Sequence, residues 1–499
     1  MEELSLSFGE SRELSRRVFV KGLGFVSVGL VLATLGGCNL DQLLEAIANR
    51  PTRRRLRTGS PEVDADIATY KQGVTLMKGL PAADPRSWDN QAGIHGTING
   101  GFRFCQHNSP HFFDWHRAYL LNFERIIQKL TGNAKWGLPY WNWNQDPDIH
   151  PEFLNQNSSL FLARTHTTMT GQPTGAVTTG VLDPFFADTN FFSFSQQIEG
   201  TPHNTVHGWL DSTMGTGGSP LDPIFWAHHC MVDYCWAKWN LELGNNNTND
   251  AAWINTNDEH FVDADGNPTS STAGITTLMP LLSYQYESSA IGSSPATAKI
   301  TKQSAYNTLK ARIEKGANIR FDIKRRVSVA EREAISIARP TSKETKVSPA
   351  EVAGIINSDT ATERIFASIE FAQLPPESDF SVRVFVNLPN ASVSTPQSDP
   401  HYAGSFAFFG TETMPAAAPA AGATPGARPT ATPAATPAAT DHPHQQPKFL
   451  VNITDTIQRL RRNQELKEST PLSIQLVAVP FAAKFEKEDT QLVLNKIEI

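Results

Sequence analysis

Histidine is concentrated in three short stretches of this 499-residue chain, which contains 14 histidines. The stretch CQHNSPHFFDWHRAYLLNFE (105–124) holds three of them, together with a cysteine and several aromatic residues. PHNTVHGWL (202–210) and DPIFWAHHCMVD (222–233) each hold a further pair. A hydrophobic core does not need histidine at this density, whereas imidazole nitrogens bind copper, zinc, iron and nickel. The pattern therefore predicts a metal site.

The spacing of these histidines indicates which of them act together. His203 and His207 are four residues apart, so on a helix they project from the same face. Asp222-Pro223 is typical of a helix start and precedes His228 and His229. A single buried histidine with one hydrogen bond is common, but an i,i+4 pair among aromatic residues is harder to explain by packing. The candidate ligands form two groups of three: His95, His107 and His116, and then His203, His207 and one of His228 and His229.

The composition of these groups restricts the chemistry. Six histidines without a set of carboxylate or thiolate ligands argue against a zinc hydrolase, a carboxylate di-iron site and a blue-copper site. Two copper ions, each bound by three histidines, are the best chemical fit. The net charge of −7 and the pI near 6.1 provide no basic surface, so we expect no nucleic-acid partner.

Two regions differ in the elements that would position these residues. Residues 61–286 are rich in aromatic residues and helical in pattern, and residues 287–355 are polar and predict a connecting segment. Within residues 356–499, six short alternating runs predict an antiparallel β-sandwich: IFASIEF, FSVRVFVNL, GSFAFF, KFLVNIT, LSIQLVAV and QLVLNKIEI. A stretch of Ala, Pro, Thr and Gly interrupts this region, and we interpret residues 415–446 as a disordered loop inside the β domain. The sequence thus predicts a mainly α catalytic domain followed by a C-terminal β-sandwich.

The N-terminus has the features of an export signal. SRRVFVKG (15–22) matches the twin-arginine pattern, and the apolar run that follows, 22–37, is 16 residues long. That run is shorter than the ~20 residues of a membrane-spanning helix, so residues 1–38 predict a cleaved signal rather than an anchor. A helix lying on the membrane surface is the alternative. LGGC, which ends at Cys38, also matches a lipobox and would make the exported protein a lipoprotein, and the basic residues 39–60 predict a tether.

The histidine motifs resemble those of a known family. HNSPHFFDWHRAYLLNFE and DPIFWAHHCMVD are similar to the two copper-binding motifs of tyrosinases, catechol oxidases and hemocyanins. GIHG, LPYWNW, IEGTPHNTVHGW and YQY match further family phrases, so that the resemblance covers residues 88–286. It implies a four-helix bundle around a coupled dicopper centre.

The resemblance also implies roles for individual residues. His95, His107 and His116 would bind the first copper ion, and His203, His207 and His229 the second, because the eighth residue of the family's D-P-x-F-x-x-x-H motif is His229 here. His228 is then a neighbour of the ligand, and His111 has no counterpart. Cys105 would form a thioether to His107, or otherwise be a buried thiol. Glu199 and Asn204 would together hold a water molecule for proton transfer. Thr216 would be a small gate residue that leaves the substrate entrance open.

The function implied by the resemblance is the oxidation of o-diphenols to o-quinones by O2, together with ortho-hydroxylation of monophenols. Oxidation of o-aminophenols is one alternative, and a hemocyanin-like O2-binding protein is another. The β region resembles the C-terminal domain of plant polyphenol oxidases, which can cover the copper site, although the KFDV tetrapeptide and the paired cysteines of the plant proteins are absent.

Overall fold

The computed structural model describes residues 49–98, 101–287, 328–336, 341–344, 349–357, 364–375, 380–410, 446–481 and 491–499. The predicted signal (1–38), the lipidation site Cys38 and the interrupting loop, apart from its last residue, lie outside these ranges. Among the described residues, no helix is both long and apolar enough to cross a membrane.

The N-terminal half of the described chain is a mainly helical core. Its helices are α1 (Pro61–Gly79), α2 (Trp88–His95), α3 (Phe112–Thr131), α4 (Thr179–Ala187), α5 (Phe191–Ile198), α6 (Asn204–Leu210), α7 (Pro223–Ala237), α8 (Ala251–Asn255), α9 (Ala273–Thr276) and α10 (Met279–Leu282). A π-helical turn, Glu199–His203, joins α5 to α6. Short strands accompany the helices: β1 (Thr52–Arg53), β2 (Gly96–Thr97), β3 (Gly101–Phe102), β4 (Asn257–Val262), β5 (Pro268–Thr272) and β6 (Gln285–Tyr286).

The local sequence explains where the two central helices begin and end. Asp222 caps α7 by accepting a hydrogen bond from the backbone N–H of Ile224 at 3.1 Å, and Pro223 occupies the first helical position. Helix α3 ends at Gly132, whose φ of 69° lies in the left-handed region that glycine adopts without steric cost. The ring of Trp226 on α7 stacks on Phe123 of α3, with 3.5 Å between centroids. These contacts fix α3 and α7 side by side, and both helices carry candidate ligands.

The prediction that residues 39–60 form a tether is wrong for its C-terminal part. Strand β1 pairs in parallel with β6, and Arg53 is fully buried. The Arg53 guanidinium donates to Glu124 at 2.8 Å and to Asp233 at 3.0 Å, and it lies 3.5 Å from the centroid of the Tyr284 ring. A basic run that resembles a solvated linker is therefore held in the core, because acidic and aromatic partners from distant parts of the chain compensate its burial.

The elements of the C-terminal region are β7 (Ser328–Ser336), β8 (Thr341–Glu344), α11 (Pro349–Ile356), β9 (Phe366–Phe371), β10 (Phe380–Val386), β11 (Tyr402–Ala407), β12 (Lys448–Asn452), α12 (Thr454–Arg462), β13 (Ser473–Pro480) and β14 (Gln491–Glu498). Its strands form two four-stranded sheets, with strand orders β11-β10-β13-β8 and β12-β9-β14-β7. All six predicted runs form strands. The prediction of a connecting segment up to residue 355 is wrong from β7 onward, because β7 pairs with β14 and β8 pairs with β13.

The sheets share one apolar cluster and lie against the helical core. Phe406 of β11 stacks on Phe449 of β12 with 4.1 Å between ring centroids, although the two strands belong to different sheets. The Thr201 hydroxyl, in the π-helical turn, donates to the carbonyl oxygen of Ser405 at 2.6 Å. Strand β11 is therefore attached to the segment that leads directly into the second group of histidines.

Candidate metal centre

The six histidines proposed as ligands from the sequence lie in one cluster, in which five are buried and His107 is half-buried. Three elements supply the first triad: His95 ends α2, His107 lies in the loop before α3, and His116 is one turn into α3. The ring centroids of this triad are 5.0 to 5.9 Å apart. The second triad comes from the π-helical turn, α6 and α7, and the centroids of His203, His207 and His229 are 4.6 to 5.3 Å apart.

Hydrogen bonds orient four of these imidazole rings. The Nδ1 atoms of His95, His116 and His207 each face a backbone carbonyl oxygen, of Gly217 at 2.8 Å, Phe112 at 2.7 Å and Met214 at 2.7 Å respectively. The Nδ1 atom of His203 lies 2.8 Å from Oδ1 of Asn204. Because a carbonyl oxygen only accepts, each of these Nδ1 atoms carries the proton in the neutral ring. The Nε2 lone pairs are consequently left for another partner.

The Nε2 atoms of the first triad have no partner, and those of the second triad face only one another. The Nε2 atoms of His95, His107 and His116 are buried and have no hydrogen-bond partner. In the second triad, His229 Nε2 lies 3.3 Å from His203 Nε2 and 3.1 Å from His207 Nε2. Burial lowers the pKa of His95 to about 4 and the pKa of the other five histidines well below its usual value, so the rings are neutral. Converging neutral nitrogens fit metal cations, one for each triad.

The geometry distinguishes between the adjacent histidines of α7. One potential ligand atom each of His203, His207, His228 and His229 lies within 4.8 Å of the others, so distance alone admits both. However, the Trp143 indole N–H donates to His228 Nδ1 at 3.2 Å. A neutral His228 then carries its proton on Nε2 and offers no lone pair to a metal. This supports His229 as the ligand and His228 as a buried neighbour.

Cys105 lies against the first triad. Its thiol donates to the carbonyl oxygen of His95 at 3.1 Å, and Sγ is 3.3 Å from His107 Nδ1. Burial raises the pKa of this thiol well above its usual value, so it is not a free thiolate. The sulfur is therefore in contact with the imidazole to which the predicted thioether would join it. Cys230 and Cys235, both on α7, are also buried free thiols.

Glu199 and Asn204 flank His203, and both are buried. Glu199 Oε1 accepts a hydrogen bond from the backbone N–H of Asn108 at 2.6 Å, and burial raises the pKa of this carboxyl to about 8. Asn204 Oδ1 faces His203, while its Nδ2 donates to the carbonyl oxygen of Ala407 at 2.7 Å. The amide that was expected to hold a water molecule is bonded to the C-terminal region instead.

Among the described residues, the side chain that lies over the histidine cluster is not that of the predicted gate, Thr216. The Thr216 hydroxyl donates to the Thr213 carbonyl oxygen at 2.9 Å and accepts from the Gly218 N–H at 3.2 Å, so this small side chain is occupied in its own turn. Phe409, which follows β11, lies over the histidines instead. Its ring stacks on His207 with 3.8 Å between centroids and an interplanar angle of 22°. Access to the cluster therefore does not depend on Thr216 alone, because Phe409 of the C-terminal region also covers it.

Two further aromatic residues at the centre were not identified from the sequence. Phe225 lies one helical turn before His229, and their ring centroids are 4.2 Å apart; its place in the DPIF motif is a signal that could have found it. Phe102 on β3 has its centroid 4.4 Å from that of His107. No local pattern indicates this contact, because it depends on how β3 packs.

Comparison with known proteins gives a consistent assignment. The family model described as the common central domain of tyrosinase matches residues 85–184 and 155–242. The chain is 30% identical over 284 residues to tyrosinase HcTyr1 of Hahella sp. (strain CCB-MM4), which covers 45% of this chain and 61% of that protein. The chain therefore spans less than two thirds of the length of this relative.

A second relative is covered more completely. The chain is 33% identical over 192 residues to the tyrosinase of Streptomyces glaucescens, covering 30% of this chain and 69% of that protein. Among solved structures, a latent aurone synthase (polyphenol oxidase) aligns with a TM-score of 0.57 over 90% of this chain and 88% of the other, at 21% identity, which shows a shared fold. The tyrosinase match at 33% identity extends over more than two thirds of the Streptomyces protein, and the six histidines of this chain's motifs converge in space. The chain therefore belongs to the tyrosinase family of type 3 copper proteins.

Proposed function

We propose that this protein is a copper-dependent phenol oxidase that converts o-diphenols to o-quinones with O2 and also hydroxylates monophenols at the ortho position. The observation that carries the proposal is the convergence of six neutral imidazoles, five buried and one half-buried, whose Nε2 atoms either have no hydrogen-bond partner or face only one another. Tyrosinase-family proteins bind two copper ions, and two triads of histidines match that requirement. A four-helix bundle for residues 61–286 and a β-sandwich for residues 356–499 are the proposed architecture.

Each triad would hold one copper ion, with His95, His107 and His116 in the first and His203, His207 and His229 in the second. Bound copper would supply O2 binding and reversible one-electron redox chemistry. The protein holds His95, His116 and His207 in one tautomer through their Nδ1 hydrogen bonds to backbone carbonyl oxygens. A thioether between Cys105 and His107 would further restrict the ring of His107, and the contact of 3.3 Å between Sγ and Nδ1 supports it.

A phenol must lose its hydroxyl proton before it is hydroxylated, and Glu199 is the proposed proton acceptor. Its carboxyl is buried beside the centre, and its pKa of about 8 leaves it largely protonated at neutral pH without metal. A nearby cation favours the ionised form and would lower that pKa on copper loading. Asn204 orients His203 through Oδ1, and its Nδ2 could hold a water molecule only after Ala407 has moved away.

The full-length chain is proposed to be a latent form. Phe409 is only 4% exposed and stacks on His207, so its ring takes the place that an aromatic substrate would need. Thr201 and Asn204 bind the same C-terminal segment through the carbonyl oxygens of Ser405 and Ala407. Turnover then requires displacement of residues 405–409 from the centre.

Export by the twin-arginine route, to the periplasm or the cell exterior, is part of the proposal, and it rests on SRRVFVKG alone. The double substitution Arg16→Lys/Arg17→Lys should retain the precursor in the cytoplasm, whereas unchanged export would remove this part. Palmitate labelling that disappears in Cys38→Ala would establish the lipid anchor.

A substrate panel tests the proposed activity. Copper-loaded protein with an open centre is expected to consume O2 with catechols rapidly and with monophenols more slowly, because only a monophenol must be deprotonated and hydroxylated. Faster turnover of o-aminophenols than of catechols would instead assign an o-aminophenol oxidase. Reversible O2 binding with negligible turnover of either class would assign an O2 carrier.

A further inference from the structure

Phe102 is held rigidly beside the first triad. It ends strand β3, which pairs with β2 at the end of the helix that carries His95. A Cβ atom on Gly96 would lie 2.3 Å from the Gly101 carbonyl oxygen, so glycine allows the two strands to approach this closely. The backbone N–H of Arg103 continues the contact by donating to the His95 carbonyl oxygen at 2.8 Å. The ribbon therefore fixes the direction in which the ring of Phe102 projects.

The ring of Phe102 stands between a candidate ligand and the covering residue. Its centroid is 4.4 Å from that of His107 and 5.0 Å from that of Phe409, and it meets Phe409 at an interplanar angle of 61°. The next residue, Gly410, has a φ of 77°, and a Cβ there would lie 2.5 Å from a ring carbon of Phe102. The C-terminal segment therefore packs directly against this side chain.

We propose that Phe102 forms the side wall of the substrate cavity and restricts which ring substituents a phenol can carry. This inference rests on the proposed function. When Phe409 leaves, an aromatic ring that stacks on His207 occupies the same space and meets Phe102 edge to face, as Phe409 does. Edge-to-face pairs are favourable beyond simple burial, so Phe102 strengthens binding of a compact phenol. The same ring excludes a bulky substituent that points towards His107.

The test compares two catechols in full-length protein opened by Phe409→Ala. Adding Phe102→Ala should raise KM for 4-methylcatechol about three- to tenfold, the loss expected for one aromatic pair, and leave kcat unchanged. KM for 4-tert-butylcatechol should stay the same or fall. Phe102→Tyr, which keeps the ring, should restore the original KM ratio.

Phe104→Ala is the matched control. Phe104 lies two residues further along the same segment, but its ring stacks on His260 with 3.8 Å between centroids, away from the histidine cluster. The control should leave the KM ratio of the two catechols unchanged. An unchanged ratio in Phe102→Ala, or an equal change in Phe104→Ala, would overturn the assignment of Phe102.

A binding measurement separates this inference from the proposed activity. Benzoate has the same ring but no hydroxyl to oxidise, and calorimetric titration of the opened, copper-loaded protein should show weaker benzoate binding in Phe102→Ala than in Phe104→Ala. Phe102-dependent benzoate binding without oxidation of any catechol would remove the proposed activity and leave the wall assignment intact. Equal benzoate affinity in both variants would refute the wall.

Discussion

At the scale of single residues, the two nitrogens of an oriented histidine ring have different roles: Nδ1 donates a hydrogen bond, and Nε2 is left to bind a metal. The carbonyl oxygens of Gly217 and Phe112 accept hydrogen bonds from the Nδ1 atoms of His95 and His116, and the Nε2 atoms of both rings are buried without a hydrogen-bond partner. Burying unpaired acceptors costs free energy of about 1–3 kcal/mol each, so a cation bound among them would stabilise the fold. The orientation of the rings is thus evidence for metal binding that the count of histidines alone does not provide.

Glu199 gives a prediction about pH and stability. Its pKa in the metal-free fold, about 8, lies above the ordinary value of 4.5, so its contribution to stability is complete below the ordinary pKa and is lost as pH rises through about 8. Glu199→Gln keeps an acceptor for the Asn108 N–H and removes the titration. Urea unfolding of metal-free protein should therefore show the variant gaining stability relative to the wild type as pH rises from about 5 to about 9. Parallel pH profiles of the two proteins would show that this carboxyl titrates normally.

Asn204 gives a prediction about substrate class. In opened protein, Asn204→Ala should lower monophenol turnover at least about tenfold more than catechol turnover, because only the monophenol needs the positioned proton acceptor. Steady-state O2 consumption with a matched phenol and catechol measures this ratio. If both activities fall equally, Asn204 acts only by orienting His203.

At the scale of elements, the segment that follows one strand covers the histidine cluster. Strand β11 delivers Phe409 onto His207, while the adjacent Phe408 faces away, into the cluster with Phe371 and Phe449. Phe408 therefore packs within the β region, whereas its neighbour Phe409 covers the histidine cluster. This allows the two roles to be tested by neighbouring substitutions.

Phe409→Ala should increase catechol oxidation by the full-length, copper-loaded protein at least about tenfold, because loss of a buried phenylalanine ring costs the closed state about 3–5 kcal/mol. Phe408→Leu is the control, and it should leave the protein as latent as the wild type. The initial rate with 4-methylcatechol measures both. A wild type already as active as Phe409→Ala would show that the cover does not limit turnover.

Strand β1 gives a prediction about stability. Burial would raise the pKa of Asp233, but Arg117 and Arg53 beside it hold that pKa below its usual value, so the pair of cations is needed to keep the carboxylate charged. Arg53→Met leaves Asp233 and Glu124 buried without this partner and should lower the free energy of unfolding by about 3–5 kcal/mol.

The matched control for Arg53→Met is Arg55→Met. Arg55 pairs with Asp146 at 3.3 Å, but both side chains are about a quarter to a third exposed, so this loss should be below ~1 kcal/mol. The urea midpoints of the two variants measure the difference. Equal midpoints would mean that β1 is held weakly, as a tether would be.

At the scale of the whole molecule, the features that were predictable from the sequence are those with a local signal. The i,i+4 spacing of His203 and His207 and the alternating pattern of the six C-terminal runs are each contained within a few residues. Arg53 was misassigned because its partners Glu124 and Asp233 lie 71 and 180 residues away. Strand β7 was missed because its charged residues resemble a solvated segment.

The covering residue could not be identified from the sequence at all. FAFFG reads as an ordinary strand end, and only the packing of β11 against the π-helical turn directs Phe409 towards the histidines. The contact between Phe409 and His207 depends on the complete fold, whereas each metal-ligand motif is contained within a short segment of sequence. This difference explains why the sequence brought the six candidate histidines together but gave no sign of the residue that covers them.

The copper content of the purified full-length chain, measured by mass spectrometry of the metal, tests the central claim most directly. The account predicts two copper ions per chain in the wild type and in His166→Ala, whose ring stacks on Trp209 outside the cluster. It predicts one copper ion in the double variant His95→Ala/His116→Ala and one in His203→Ala/His207→Ala. A wild type with a single copper ion, with stoichiometric zinc, or with both ions retained in the two double variants would contradict a centre built from two histidine triads.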